Sequence, residues 1–120
     1  MEFTQQSANQ NTVISISEST ITLTQVQLKI PCFISSNRAE EISISSLQEI
    51  TKETLFPLLS QDSLNLLIIG TGKQSKFLSP KQQVALSELG LGVESMNNAS
   101  ACRSFNLLLS DLRPVGLLIL

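Results

Sequence analysis

Three observations in the sequence predict an α/β fold built on a mixed β-sheet. Up to about residue 45, apolar and polar residues alternate, the period of antiparallel strands with one wet face. Beyond that point apolar residues recur at helical spacing. Two runs in this second half, Leu64–Ile69 and Val115–Leu120, are apolar at nearly every position, as strands covered on both faces are. The resulting order of strand, helix, strand, helix and strand implies right-handed crossovers and a parallel β-α-β core. An N-terminal antiparallel meander is added to that core.

In chain order, Ile14 and Ile16, then Ile21 and Leu23, then Val26, Leu28 and Ile30 form the alternating sets. Their parity changes at Glu18-Ser19 and around Gln25, which places turns or bulges there. Pro31 has no N–H to give to a ladder, so the third strand is expected at an edge or bulged. Ser46-Leu47-Gln48-Glu49 has the form of a capping box and starts a helix, which ends near Phe56 because Pro57 follows. Ser79-Pro80-Lys81-Gln82 combines a hydroxyl cap, proline at the first helical position and glutamine two residues later, and Gly90 closes that helix as its C′ residue. Gly92–Met96 is a short strand. Asn98 caps a third helix, whose apolar stripe comprises Ala101, Cys102, Phe105, Leu108, Leu109 and Leu112 and which Pro114 stops. Residues 1–10 are expected to be a disordered N-terminus, and 11–120 a single α/β domain.

Composition excludes several chemistries. The 120 residues are 42% hydrophobic and 15% charged, enough to bury a core. A net charge of −2 offers no basic face for a nucleic-acid backbone, and 4% aromatics without Trp or Tyr offer no stacking platform. The chain has no His, so imidazole bases, Ser-His-Asp and Cys-His nucleophiles and His-ligated metals are ruled out. Cys32 and Cys102 lack CxxC spacing and are too few for a structural zinc site. Two reduced core thiols are the preferred reading, with a single disulfide left open. The start Met1-Glu2-Phe3 shows neither the basic nor the apolar region of a leader, and no apolar run approaches the roughly 20 residues of a membrane span, so a cytoplasmic protein is expected.

Ile69-Gly70-Thr71-Gly72-Lys73-Gln74-Ser75 has the look of a phosphate-binding loop, yet Leu67 and Gln74 stand where GxxxxGK[ST] needs glycine and a hydroxyl. Glycines in a tight turn leaving a strand account for it equally well. The position of the turn matters more than its motif. If strands 64–69 and 92–96 are parallel neighbours, Gly70, Thr71, Gly72 and Lys73 share a rim with Asn97 and Asn98, where open α/β sheets bind ligands. The third helix would point its free N–H groups there, and Lys73, Lys76 and Arg103 could add positive charge for a small anion. Arg103 lies nearly opposite the apolar stripe, with Asn106 and Ser110 near it. It suits a counter-anion or a solvated surface equally. Cys102 faces the core, and burial raises a thiol pKa, so no catalytic thiolate is expected. No carboxylate pair presents itself for acid–base work.

Leu66-Leu67-Ile68-Ile69-Gly70-Thr71-Gly72, Val93-Glu94-Ser95-Met96 and Ala101-Cys102-Arg103-Ser104-Phe105-Asn106-Leu107-Leu108 together resemble a known family. It comprises small α/β proteins whose eukaryotic members are mitochondrial complex I (NADH dehydrogenase) assembly factor three and whose bacterial and archaeal members are mostly uncharacterised. The resemblance covers roughly the last 60 residues. It implies a three-layer fold around a mixed sheet, no established catalysis or cofactor, and binding and assembly of other proteins. By matching position it singles out Gly70, Gly72, Met96, Ala101, Cys102, Arg103, Asn106 and Arg113, with Met96, Cys102 and Arg113 in structural roles. Three departures stand out. Asn97-Asn98 replaces Asp-Thr, Ser104-Phe105 replaces Thr-Tyr, and Leu112 stands where the family has glycine before the late arginine. The expected function is a non-enzymatic protein-binding or assembly module of a bacterial cytoplasm, with no catalytic residues, metal or cofactor. The alternative is a binder of small anionic metabolites, with or without catalysis, using the crevice between 70–76 and 97–103.

Overall fold

The computed structural model describes residues 11–120; the segment 1–10, expected to be disordered, lies outside the described residues. Strands β1 (Val13–Ile16), β2 (Thr20–Leu23) and β3 (Gln27–Lys29) form an antiparallel sheet in that order. The turns fall where the parity changes: Ser17 N–H donates to Thr20 O and Leu23 N–H to Val26 O, both at 2.8 Å. Ile21 pairs with Leu28, and both are buried. A bulge between Val13 and Ser15 turns Val13 inward and leaves Ile14 exposed, contrary to the simple alternation. Val26 is exposed as well, because it belongs to the turn before β3.

β3 is an edge strand, as Pro31 implies, but the proline stands after it. At the cis Ile30–Pro31 bond the chain leaves the small sheet. It then enters the central sheet as β4 (Cys32–Ile34) and β5 (Ala39–Glu41), two strands the alternation does not announce. With β6 (Leu66–Gly70), β7 (Gly92–Met96) and β8 (Val115–Ile119) the central order is β5-β4-β8-β6-β7. β8, β6 and β7 are parallel, and β4 runs antiparallel to both β5 and β8. The mixed sheet with a parallel core is therefore as expected. The meander, however, is a sheet of its own, and β4 and β5 supply the antiparallel members of the mixed one.

Because β7 and β8 flank β6 on opposite sides, right-handed crossovers put the two connecting helices on opposite faces. Helix α2 (Pro80–Ser87) joins β6 to β7, and α3 (Asn98–Ser110) joins β7 to β8. On the α3 face, Ile68, Leu117, Ile119, Cys32 and Ile34 pack with Phe105, Leu109 and the inner side of the small sheet. On the other face, Leu67, Ile69, Leu118 and Phe33 pack with α1 (Lys52–Leu59) and α2. The result is three layers.

The helix ends show which local signals prevail. Ser79 and Gln82 make the reciprocal capping bonds expected of them, at 3.1 and 2.9 Å. Gln82 also reaches Leu47 O and Ile50 O, tying α2 to the segment before α1. α1 does not begin at Ser46. Residues 47–49 form a single 3-10 turn, and the capping box is made by Thr51 with Thr54. The helix then continues through Pro57 to Leu59, forfeiting one backbone bond without ending at Phe56. Gly90 stands one residue beyond the C′ position expected for it, at φ 70°. The cap of α3 is Asn97, whose Oδ1 accepts from Ser100 N–H at 2.8 Å; Asn98 is the first helical residue.

Leu112 is not part of the apolar stripe: it is 91% exposed and sits at φ 59°. Leu112 N–H donates to Leu109 O and Arg113 N–H to Leu108 O, the two bonds of a Schellman ending. The residue that closes it must be left-handed, the conformation that glycine, which the resemblance implies at this position, adopts most readily. A Cβ in that conformation costs roughly 1–2 kcal/mol, partly offset by the greater chain entropy of glycine. Leu112→Gly is therefore expected to stabilise the protein by about 1 kcal/mol, read as a higher urea midpoint at unchanged slope. A lower midpoint would show that Leu112 contributes packing that its exposure hides.

Candidate functional site

The parallel pairing of β6 and β7 brings both expected bends to one rim. They are bonded to each other rather than parted by an open crevice. Thr71 N–H donates to Met96 O at 2.9 Å, and Asn98 N–H to Gly72 O at 2.8 Å. Gly72 N–H returns to Asn98 Oδ1 at 2.9 Å, and Asn97 N–H reaches Ser75 Oγ at 3.2 Å. Inside the loop, Thr71 Oγ1 donates to Gln74 O at 2.7 Å and accepts from Lys76 N–H at 3.1 Å. Two glycines make this possible for different reasons. A Cβ on Gly70 would stand 2.5 Å from Asn98 Oδ1, while Gly72 has open space but a φ of 95°.

The open space lies beside the stitched rim. A cavity of about 570 Å³ is bounded by residues 16–18, 72–73, 97–99 and Leu120. Of the expected site residues it gathers Gly72, Lys73, Asn97 and Asn98. Gly70 and Thr71 do not line it. The turn between β1 and β2 closes one side and brings Glu18 Oε2 to 3.0 Å from Lys73 Nζ, both side chains 81% exposed. The sequence places Glu18 in a turn but not at this site, because only the packing of the small sheet delivers it. It offsets the positive charge that Lys73 and the start of α3 bring to the cavity. Lys76 lines a different depression.

Arg103 and Asn106 lie further along α3 and do not meet the rim. Arg103 is exposed and donates to Ser100 Oγ at 3.2 Å. Asn106 spends both ends of its amide on Val13, accepting its N–H at 2.8 Å and donating to its C=O at 2.9 Å. It is a clamp between α3 and β1. Met96 is half-buried, with its sulfur accepting from Ser104 Oγ at 3.7 Å, and Arg113 is exposed. Cys32 and Cys102 are buried free thiols. Burial, then the neighbouring Cys102 and Glu41, push the Cys32 thiol up to about 12. Burial pushes Cys102 to about 11 against the opposing pull of Arg103. Both are protonated at neutral pH and supply no nucleophile.

A second polar centre escaped the sequence reading. Arg38, in the β4–β5 turn, donates to Glu40 Oε2 at 2.8 and 3.1 Å and to Asp62 Oδ2 at 3.3 Å. It also donates to Leu58 O at the end of α1 and lies 5.1 Å from the Phe33 ring centroid. Ser35 Oγ donates to the same Asp62 oxygen at 3.3 Å. The Asp62 side chain is only 6% exposed. No short motif marks this cluster, since its members come from two segments about 20 residues apart, 33–40 and 58–62. Its contacts lie within the fold, so it reads as a joint between β4 and α1.

Comparisons with known proteins agree with the family resemblance. A family described as "protein of unknown function (DUF498/DUF598)" matches residues 13–120. NADH dehydrogenase (ubiquinone) 1 alpha subcomplex assembly factor 3 of Mus musculus is 30% identical over 88 residues, 72% of this chain and 47% of that protein. The Bos taurus counterpart matches to the same extent. The chain thus spans about half the length of the curated relatives it matches. An uncharacterised protein of Rhodobacter capsulatus is 42% identical over 57 residues, 48% of this chain and 46% of that protein. Among solved structures, a Bordetella parapertussis protein superposes with a TM-score of 0.80 at 26% identity, covering 92% of this chain and 94% of that one. A Bordetella pertussis protein described as a Mth938-like domain gives 0.78 at 22% identity, covering 100% and 91%; it bears on the fold alone.

Proposed function

This chain belongs to the DUF498/DUF598 family of unknown function, and on that premise we propose that it is a non-enzymatic protein-binding module of the assembly-factor kind. The observation that carries the proposal is the 30% identity, across 72% of the chain, to a relative named as an assembly factor. The stitched rim supports it, because Thr71 and Gly72 of the most motif-like loop give their N–H groups to Met96 and Asn98. In this reading 11–120 act as one domain in a bacterial cytoplasm, a reducing compartment suited to two buried free thiols. The binding face is the outward side of α3, where Leu107 is 70% exposed between Arg103 and Ser110. Arginine is among the residue types enriched at protein–protein interfaces.

Affinity capture of the tagged chain from its native host is expected to recover a stoichiometric protein partner. Arg103→Glu, an exposed substitution with little effect on the fold, is expected to weaken that capture at least tenfold at an unchanged melting temperature. Undiminished capture by the variant would remove α3 as the face. Repeated recovery of the bait alone would overturn the protein-binding reading.

The second reading is a small anion in the 570 Å³ cavity, favoured because Lys73 and the first turn of α3 both border it. Arg103 takes no part there, so the discriminating variant is Lys73→Ala. A thermal shift with millimolar anionic metabolites that disappears in this variant would favour the anion.

A further inference from the structure

We propose that the free edge of β7 is a strand-addition site for an extended, basic segment of a partner protein. This rests on the protein-binding reading above and assigns a second surface to it. Gly92 N–H donates to Asn65 O at 3.0 Å, and Met96 O accepts from Thr71 N–H at 2.9 Å. Residues 92, 94 and 96 therefore turn their backbone groups toward β6. By the two-residue period of a strand, Val93 and Ser95 turn theirs away from it. Those two N–H and two C=O groups have no hydrogen-bond partner among the described residues.

The remaining geometry limits what can dock. At the opposite margin of the sheet, β5 is only three residues long, and β3 packs beside it with Lys29 N–H donating to Glu41 Oε2 at 2.9 Å. At the upper end of β7, Ser75 Oγ already holds Asn97 N–H. The free stretch is thus Val93 to Ser95, with up to four main-chain bonds for an incoming strand. Glu94 is the exposed centre of this stretch, on the same face as Ile68. A second copy is disfavoured. The antiparallel register of greatest overlap pairs Val93 with Ser95 of the other copy and sets the two Glu94 residues directly opposite, about 4.5 Å apart at Cα. Like charges so placed repel, whereas a Lys or Arg opposite Glu94 attracts. The same charge protects the edge from self-association and selects a basic occupant.

The test is to pan a displayed library of random ten-residue peptides against the full chain. Enriched peptides are expected to carry Lys or Arg at one fixed position within an alternating segment. Their binding should fall at least tenfold on Ser95→Pro, which removes an outward N–H at an edge where proline is tolerated. Glu94→Lys should shift the enriched residue to Asp or Glu, and it serves as the deciding variant if Ser95→Pro fails to fold. No enrichment, peptides without a basic residue, or unchanged selection by Glu94→Lys would overturn the proposal, as would a dimer abolished by Ser95→Pro. A host partner lost on Arg103→Glu but retained by folded Ser95→Pro would sink the edge and leave the protein-binding reading standing. Edge-specific peptides with no host partner would do the reverse.

Discussion

Arg38→Met is expected to cost about 3–5 kcal/mol of stability, the range for removing one partner from a buried ion pair. For a chain of this size that is a fall in melting temperature of roughly 12–20 °C. Its magnitude comes from what is left behind. Without the guanidinium, Asp62, 6% exposed, retains only the Ser35 hydroxyl, and the Leu58 carbonyl at the end of α1 loses its donor. Methionine fills much of the stem's volume but carries none of the charge, so the loss reports on polar pairing and on the cation over the Phe33 ring rather than on a cavity. Adding Asp62→Asn removes the stranded charge and is expected to recover part of the loss. The Arg38–Asp62 pair should also respond little to salt, since a pair this enclosed is poorly screened, whereas Arg38–Glu40, with the Glu40 side chain 44% exposed, is open to screening. The exposed Lys52–Glu88 pair, at 2.7 Å between α1 and α2, is the internal contrast and should contribute little. An Arg38→Met cost below about 1 kcal/mol would mean that water reaches the cluster.

That joint also shows where sequence reading stops. α2 begins and β7 ends where they are expected because Ser79, Pro80 and Gln82, and the run Gly92–Met96, act through neighbours within four residues. α1 begins late because two hydroxyl signals compete. Thr51 wins, since its partner Thr54 also bonds back to Glu49 O, whereas the Ser46 hydroxyl caps no backbone N–H and donates only to the Glu49 carboxylate. β4 and β5 are three residues each, too short for a period to register, and all of β4 is buried, so it shows no alternation. The parallel rim was legible because two strands and the helix between them determine it. Its partner across the cavity was not, because Glu18 arrives from a separate sheet. Asn106 follows the same logic. On α3 alone it looks like polar filler, and only the approach of β1 reveals it as a clamp.

Gly70→Ala is expected to cost about 2–3 kcal/mol, in the upper part of the range for overpacking a close contact. The new methyl would fall 2.5 Å from Asn98 Oδ1 and 2.6 Å from Ile119 Cδ1, so both must move. Ile119 is the end of a flexible side chain, but it sits in the packed α3-side core. Asn98 can escape only by giving up Gly72 N–H, which loosens the bond that joins the two bends. The loss should therefore be coupled to residue 98. Asn98→Ala alone removes one hydrogen bond and is expected to cost about 1 kcal/mol. In Gly70→Ala/Asn98→Ala the oxygen in the way is absent, and the total should fall short of the sum by about 1 kcal/mol, as contacting residues commonly do. Urea titration of the four proteins measures this directly. Simple additivity would mean that Ile119 alone resists the methyl and that the stitched rim yields without strain. A clear shortfall would make Gly70 the residue whose missing side chain lets the two bends close on each other.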